Sequence, residues 1–153
     1  MLERIKTLMG VLFPPEIEFL NGSTSGPCKS HDDDACDDLK AIGTYTLLPG
    51  KQMDVMTDRQ ANIPSGYFVD VRERSGLSKQ GIRVVGAPKT IDAGYTGNWI
   101  MPMKNETSQV YTIHIGDRIA QWRLVRVQRW KGKVGTKPKE STRGTNRFGS
   151  SGK

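Results

Sequence analysis

Four stretches of this chain carry residue types suited to holding or cleaving a phosphate chain. Arg143-Gly144-Thr145-Asn146-Arg147-Phe148-Gly149-Ser150-Ser151-Gly152 is a glycine- and hydroxyl-rich loop. Its backbone N–H groups, serine hydroxyls and arginine fork are the parts that cradle phosphates, and Phe148 offers a face on which a base can stack. It is not a P-loop, because no Gly-Lys-Ser/Thr follows and no strand leads in. Arg74-Ser75-Gly76-Leu77 combines a guanidinium, a hydroxyl and a glycine backbone, which could again grip phosphate. Ile91-Asp92-Ala93-Gly94-Tyr95-Thr96-Gly97 sets a carboxylate, able to act as general base toward water, three residues from an aromatic ring. In Gly116-Asp117-Arg118-Ile119-Ala120-Gln121 the amide of Gln121 could donate to an anion. Each has a plainer reading taken alone: chance glycines in a tail, a simple turn, an aspartate–glycine turn beside a packed tyrosine, a hairpin turn leading into an edge strand.

The elements that must position these residues read as β. From about residue 40 onward, Thr44–Leu48, Gln52–Met56, Gly66–Val71, Ile82–Val85, Trp99–Met103, Val110–Ile115 and Ile119–Val127 are short runs rich in β-branched or aromatic residues. Pro49-Gly50, Pro64-Ser65-Gly66 and Gly116-Asp117 punctuate them. Many short strands at this spacing predict an all-β barrel or sandwich. One helical turn is expected near Leu77–Gly81. A short amphipathic helix is expected over Met1–Leu12, where Leu2, Ile5, Leu8, Met9 and Leu12 share one face before Pro14 and Pro15 stop it. The turn region Ile91–Gly97 is placed between strands. The expected organisation is an N-terminal extension over 1–20, a β domain over 21–130 and a flexible arm over 131–153.

Composition bounds the function. At 153 residues and 35% hydrophobic, the chain is one domain with a modest core, which a partner copy can complete. No apolar stretch spans a membrane, and Glu3, Arg4 and Lys6 interrupt the N-terminus, so no signal peptide is read and a cytoplasmic place is expected, the host's cytoplasm if the source is viral or phage. Residues 129–153 carry eight basic side chains against Glu140 alone, which accounts for the whole net charge of +7. A cationic arm seeks a polyanion; charge alone favours nucleic acid or simple solubility. Cys28 and Cys36 are eight residues apart with only His31 near them, too few ligands for a zinc site, so free thiols are expected rather than a disulfide. His114 lies alone in an apolar-alternating run and is read as structural.

The order of the motifs adds what no single motif supplies. Ala35-Cys36-Asp37-Asp38-Leu39, Arg74-Ser75-Gly76-Leu77, Thr90-Ile91-Asp92-Ala93-Gly94-Tyr95-Thr96-Gly97, Gly116–Gln121 and Arg143–Gly152 resemble, in sequence order, the five motifs of homotrimeric dUTPases. The resemblance covers roughly residues 35–152 and implies an all-β, jelly-roll-like barrel. It implies a homotrimer that shares three active sites and hydrolyses dUTP to dUMP and pyrophosphate with Mg²⁺. Carried over residue by residue, it implies that Asp92 activates the attacking water and Tyr95 packs under the deoxyribose, excluding a 2′-hydroxyl. It further implies that Arg74, Ser75, Gly76 and Gln121 hold the phosphates, and that Gly86, Thr90 and Ile91 are also among the substrate-binding residues. Arg143, Gly149, Ser150 and Ser151 would close over the β- and γ-phosphates while Phe148 stacks on uracil. The substrate phosphates would hold most of the Mg²⁺, with Asp38 acting through water or orienting Arg74. Phosphate closure then accounts for the basic arm, so neither nucleic acid nor a membrane is expected as a partner.

The chain departs from the family pattern in places. Cys36 stands where the first motif has glycine, Gly86 where an asparagine precedes the third motif, and Lys89 replaces a glycine of the hairpin that reads uracil through its backbone. These changes leave open the same pyrophosphatase chemistry on another deoxypyrimidine triphosphate. A nucleotide-sensing or protein-binding module on the same fold is the remaining alternative, against which the intact set of Asp92, Tyr95, Arg143 and Phe148 argues. The sibling dCTP deaminases need a glutamate where this chain has Pro102, and proline cannot move a proton.

Overall fold

The computed structural model describes residues 14–20, 29, 31–137, 140, 141 and 144. The expected helix over Met1–Leu12 and most of the Arg143–Gly152 loop lie outside the described residues. Within them the chain is almost entirely antiparallel β: β1 (Glu18–Phe19), β2 (Asp37–Lys40), β3 (Tyr45–Leu47), β4 (Gln52–Met56), β5 (Ala61–Asn62), β6 (Tyr67–Glu73), β7 (Ile82–Val84), β8 (Lys89–Asp92), β9 (Ile100–Asn105), β10 (Tyr111–Ile113) and β11 (Arg118–Arg126). One helix, α1 (Ser75–Lys79), interrupts them.

Every strand pair is antiparallel, as the turn-rich connections require. The largest sheet runs β2-β11-β6-β8; a second runs β4-β9-β7, and β3-β10 and β1-β5 are two-stranded. The sheets enclose one core of Leu39, Leu47, Val55, Val69, Val71, Ile82, Ile91, Trp99, Met101, Met103, Ile113 and Ile119 with their neighbours. Trp99 stands edge-on to Trp122 at 5.2 Å between ring centroids, and Trp122 edge-on to Phe19 at 6.0 Å. Such edge contacts add about 1 kcal/mol each beyond simple burial. Phe19 also receives the guanidinium of Arg59 over its ring at 4.9 Å. Through that packing, and the pairing of Glu18 with Asn62, β1 joins the barrel although it lies in the stretch expected to precede it.

The strands expected over 44–48, 52–56, 66–71, 82–85, 99–103, 110–115 and 119–127 all contain the observed β3, β4, β6, β7, β9, β10 and β11 to within a few residues. Four strands escape the sequence pattern. β1 and β5 have two residues each, too few to show a period. β2 (Asp-Asp-Leu-Lys) and β8 (Lys-Thr-Ile-Asp) are polar on the face that leaves the core. Ile91 and Asp92 therefore end a strand, and only residues 93–97 form the turn. The helix begins at Ser75 rather than Leu77, since Leu77 and Ser78 donate their N–H groups back to the Arg74 carbonyl.

Buried Asn105 ties the end of β9 to three neighbouring residues. Its amide nitrogen donates to the Leu47 and Gln109 carbonyls, and its oxygen accepts from the N–H and hydroxyl of Thr107. His114 is exposed in the β10–β11 turn, where its backbone N–H donates to Asp117 Oδ2. Among the described residues no helix is long and apolar enough to cross a membrane. The described residues of the arm, 131–137, 140, 141 and 144, contain neither helix nor strand and are exposed.

Candidate active site

Pairing register decides what the outer face of the β2-β11-β6-β8 sheet presents. Directly opposed residues of antiparallel strands point to the same side. One row is therefore Asp38–Gln121–Arg72, the next Arg123–Asp70–Thr90, and the third Val125–Phe68–Asp92. The intervening residues, Leu39, Ala120, Val69, Val71 and Ile91, are buried on the core side. The first two rows are polar and the third sets Asp92 beside the apolar Val125 and Phe68, so the candidate phosphate residues lie at one end of the face and the candidate base at the other.

At the phosphate end, Asp38, Arg72, Arg74, Ser75, Gly76 and Gln121 line a pocket of about 400 Å³. Local structure explains how they meet. A bulge shifts the β11–β2 register between Arg118 and Ala120, so both Gln121 and Arg118 address Asp38. Arg74 caps α1, and its Nε donates to Asp38 Oδ1 at 2.8 Å while its Nη1 donates to the Arg118 carbonyl at 3.1 Å. Arg118 Nη1 reaches Asp38 Oδ2 at 3.3 Å. Both oxygens of buried Asp38 are thus engaged by guanidinium, so of its two expected roles, holding metal-bound water or orienting Arg74, the geometry favours the second. A Cβ built on Gly76 meets nothing within 4 Å, leaving its backbone open to a ligand. Gln121 differs from expectation in one respect: its Nε2 donates to the Glu73 carbonyl at 2.8 Å, so one N–H at most is left for phosphate.

Sequence reasoning passed over Arg72, Arg123 and Asp70. Asp70 is 8% exposed, and its Oδ2 accepts from Arg72 Nε at 2.9 Å and Arg123 Nε at 3.0 Å. Burial alone raises its pKa, but the hydrogen bonds and charge of the two guanidinium groups prevail and hold it below the usual carboxylate value. The alternation of β6 and β11 is the signal that could have found this pair, once the strands were set in register. Cys36, a free thiol as expected, is half-buried at the rim of the same pocket. Burial pushes its thiol pKa up, against the lowering effect of Arg123 and Arg72.

At the opposite end, Lys89, Thr90, Ile91, Asp92, Tyr95 and Trp99 line a second pocket of about 250 Å³. Asp92 ends β8 with its side chain exposed, and its carbonyl accepts the Tyr95 N–H at 3.0 Å, which closes the turn. The Tyr95 hydroxyl donates to the Asn98 carbonyl at 2.9 Å, laying the ring across Gly97. A Cβ on Gly97 would stand 2.6 Å from that hydroxyl and 2.8 Å from Cζ, so glycine here lets the ring lie flat. Gln60 fastens the turn from outside by donating to the Thr96 carbonyl at 2.6 Å.

Gly86 is not among the residues that line this pocket. It turns the chain between β7 and β8 with φ of 77°, a backbone that glycine and asparagine both adopt, so the departure from asparagine preserves the local path. The two pockets share no residue. Asp92 lies opposite Phe68 and Gln121 opposite Arg72, four residues along β6, or roughly 13 Å. One chain by itself therefore holds the candidate base and the candidate phosphate grip apart. Arg143, Phe148, Gly149, Ser150 and Ser151 lie outside the described residues. Also among the described residues, no group of three or more histidines, cysteines or acids could hold a metal ion.

Comparison with known proteins gives this arrangement its relatives. Residues 23–152 match the family model described as dUTPase. The deoxyuridine 5'-triphosphate nucleotidohydrolase of Solibacter usitatus is 42% identical over 122 residues, covering 79% of this chain and 82% of that protein. Its counterpart from Leifsonia xyli subsp. xyli is 43% identical over 129 residues, covering 82% and 84%. The structure of Staphylococcus bacteriophage 80alpha dUTPase with dUpNHpp superposes with a TM-score of 0.75 at 27% identity, over 90% of this chain and 97% of that one. The fold is thus the jelly-roll-like barrel that the motifs implied, and the chain belongs to the dUTPase family.

Proposed function

We propose that Asp92 is the general base of the family's reaction, the hydrolysis of dUTP to dUMP and pyrophosphate, and that the phosphate end of a second copy completes its site. The observation that carries this reading is the separation of two half-sites on one sheet face: an open carboxylate beside Tyr95 at one end, and arginines around Asp38 at the other. Asp92 accepts a proton from water as the water oxygen attacks the α-phosphorus. The bond from that phosphorus to the bridging oxygen breaks, and pyrophosphate leaves. Arg74, oriented by Asp38, and the open backbone at Gly76 take up charge on the phosphates, with Ser75 and Gln121 beside them. Tyr95, held flat by Gly97 and Asn98, occupies the space that a ribose 2′-hydroxyl needs.

A C₃ trimer sets the Asp92 end of one copy against the Arg74 end of the next, three times over. The basic arm, with Arg143, Phe148, Gly149, Ser150 and Ser151, then closes over the nucleotide and excludes water from the phosphates. Mg²⁺, when bound, would be held chiefly by phosphate and water oxygens and would supply charge neutralisation there, while Asp38, with both oxygens taken by guanidinium, orients Arg74. Lys89 adds a donor-only cation to the nucleoside pocket, which suits the carbonyls of uracil better than the amino group of cytosine. The free thiol of Cys36 fits a reducing, cytoplasmic compartment.

The test is pyrophosphate release from dUTP, dCTP, dTTP and UTP in parallel with Mg²⁺. Release from dUTP alone is expected; equal turnover of another deoxynucleotide would move the base specificity. In the same assay Gly97→Ala is expected to narrow the preference for dUTP over UTP by about tenfold or more, since the new methyl displaces the Tyr95 ring. An unchanged ratio would remove Tyr95 from sugar selection.

A further inference from the structure

Resting on the reading of the larger pocket as the triphosphate end, we propose that Arg72 and Arg123 are two further phosphate-binding residues, and that Asp70 is the positioning residue that aims them. Arg72 and Arg123 both line the pocket with Arg74, Ser75 and Gly76. Each is tied to Asp70 Oδ2 through Nε alone, at 2.9 and 3.0 Å, and each side chain keeps nearly half of its surface exposed. A guanidinium held by its Nε leaves both terminal nitrogens, the fork that pairs with phosphate, free to turn outward. Asp70 is the one carboxylate either arginine is paired with among the described residues.

The arrangement repeats the one next to it. In the neighbouring row Asp38 holds Arg74 and Arg118. Two carboxylates that are themselves buried thus organise four guanidinium groups, of which Arg72, Arg74 and Arg123 line this pocket and Arg118 lines the neighbouring one. Stability does not require so many arginines at one place; half-exposed ion pairs contribute little. A polyanion longer than a single phosphate accounts for them. Arg72 and Arg123 start from adjacent rows of the sheet, yet both Nε atoms converge on Asp70 Oδ2, so their two forks lie side by side and can take neighbouring oxygens of one polyanion. The predicted ligand of the second pair is accordingly the pyrophosphate portion of the substrate, and the pyrophosphate product.

The test uses the full chain and measures pyrophosphate binding with Mg²⁺ by calorimetry, beside KM and kcat for dUTP and the oligomeric state. Arg72→Gln and Arg123→Gln are each expected to weaken pyrophosphate binding and raise KM about tenfold, with kcat nearly unchanged. Arg123→Lys keeps the charge but not the fork and is expected to recover part of the loss. Asp70→Asn separates aiming from charge. It makes the pocket more positive, so a purely electrostatic cluster binds pyrophosphate more tightly, whereas a positioning role weakens binding. Binding of dUMP, which lacks the pyrophosphate portion, is expected to be unchanged in all four variants. Wild-type pyrophosphate affinity in both glutamine variants overturns the proposal, as does a loss of oligomer with affinity intact, which makes the cluster a contact between copies. If the wild-type chain binds pyrophosphate through these arginines yet leaves dUTP intact, the hydrolytic reading falls and this one stands.

Discussion

Asp92→Asn is expected to lower kcat for dUTP by roughly a thousandfold while leaving the affinity for dUpNHpp within about threefold of wild type. The asymmetry follows from where the carboxylate sits. Its side chain is exposed at the end of β8, so an amide of the same shape disturbs neither the pairing of Thr90 with Asp70 nor the turn closed by the Tyr95 N–H. What the amide lacks is a basic oxygen. Water next to it keeps its proton, and attack on the α-phosphorus loses the general base but not the bound geometry. Single-turnover pyrophosphate release checks the rate, and titration with the non-hydrolysable analogue checks the binding. Turnover near wild type would remove Asp92 from the mechanism and leave the second pocket as a binding site only.

Mixing two inactive variants gives the second large effect. Arg74→Ala removes a guanidinium that Asp38 and the Arg118 carbonyl hold at the phosphate end, and is expected to lower kcat/KM by about a hundredfold or more. Asp92→Asn disables the other end. If each site draws its two ends from different copies, refolding the variants together at equal ratio restores about a quarter of the sites by random assortment. If one chain supplies both ends, the mixture stays as inactive as its parts, because each chain carries one lesion in its own site. The measurement is activity of the mixture against the separately refolded variants, with size-exclusion chromatography to show that the copies exchanged. The roughly 13 Å of sheet between the Asp92 row and the Gln121 row is the reason to expect recovery.

Asp92, Tyr95, Arg74, Ser75 and Gln121 are legible as candidates because they sit in short runs whose order leaves little freedom, and the strong strands are legible because apolar and polar residues alternate along them. β2 and β8 were not legible. Asp37–Lys40 and Lys89–Asp92 each devote half of four residues to a polar outer face, so the period that announces a strand is nearly absent. The charge balance of the site was hidden for a related reason: Asp70, Arg72 and Arg123 belong to no motif and look like ordinary surface charges within their own strands.

Which of those charges meet is set by the folded chain. Asp70 and Arg123 are 53 residues apart in sequence and become partners because β6 and β11 pair in one register, in which Asp70 opposes Arg123. Asp38 meets Arg118 across 80 residues through a bulge that no residue type announces. A motif records which groups are present, and a strand period records which face they share. Long-range register sets which of them touch, and therefore whether an arginine is a solvated surface charge or a donor aimed into a pocket, because hydrogen bonds and ion pairs act over a few ångströms and sequence spacing carries no such distance.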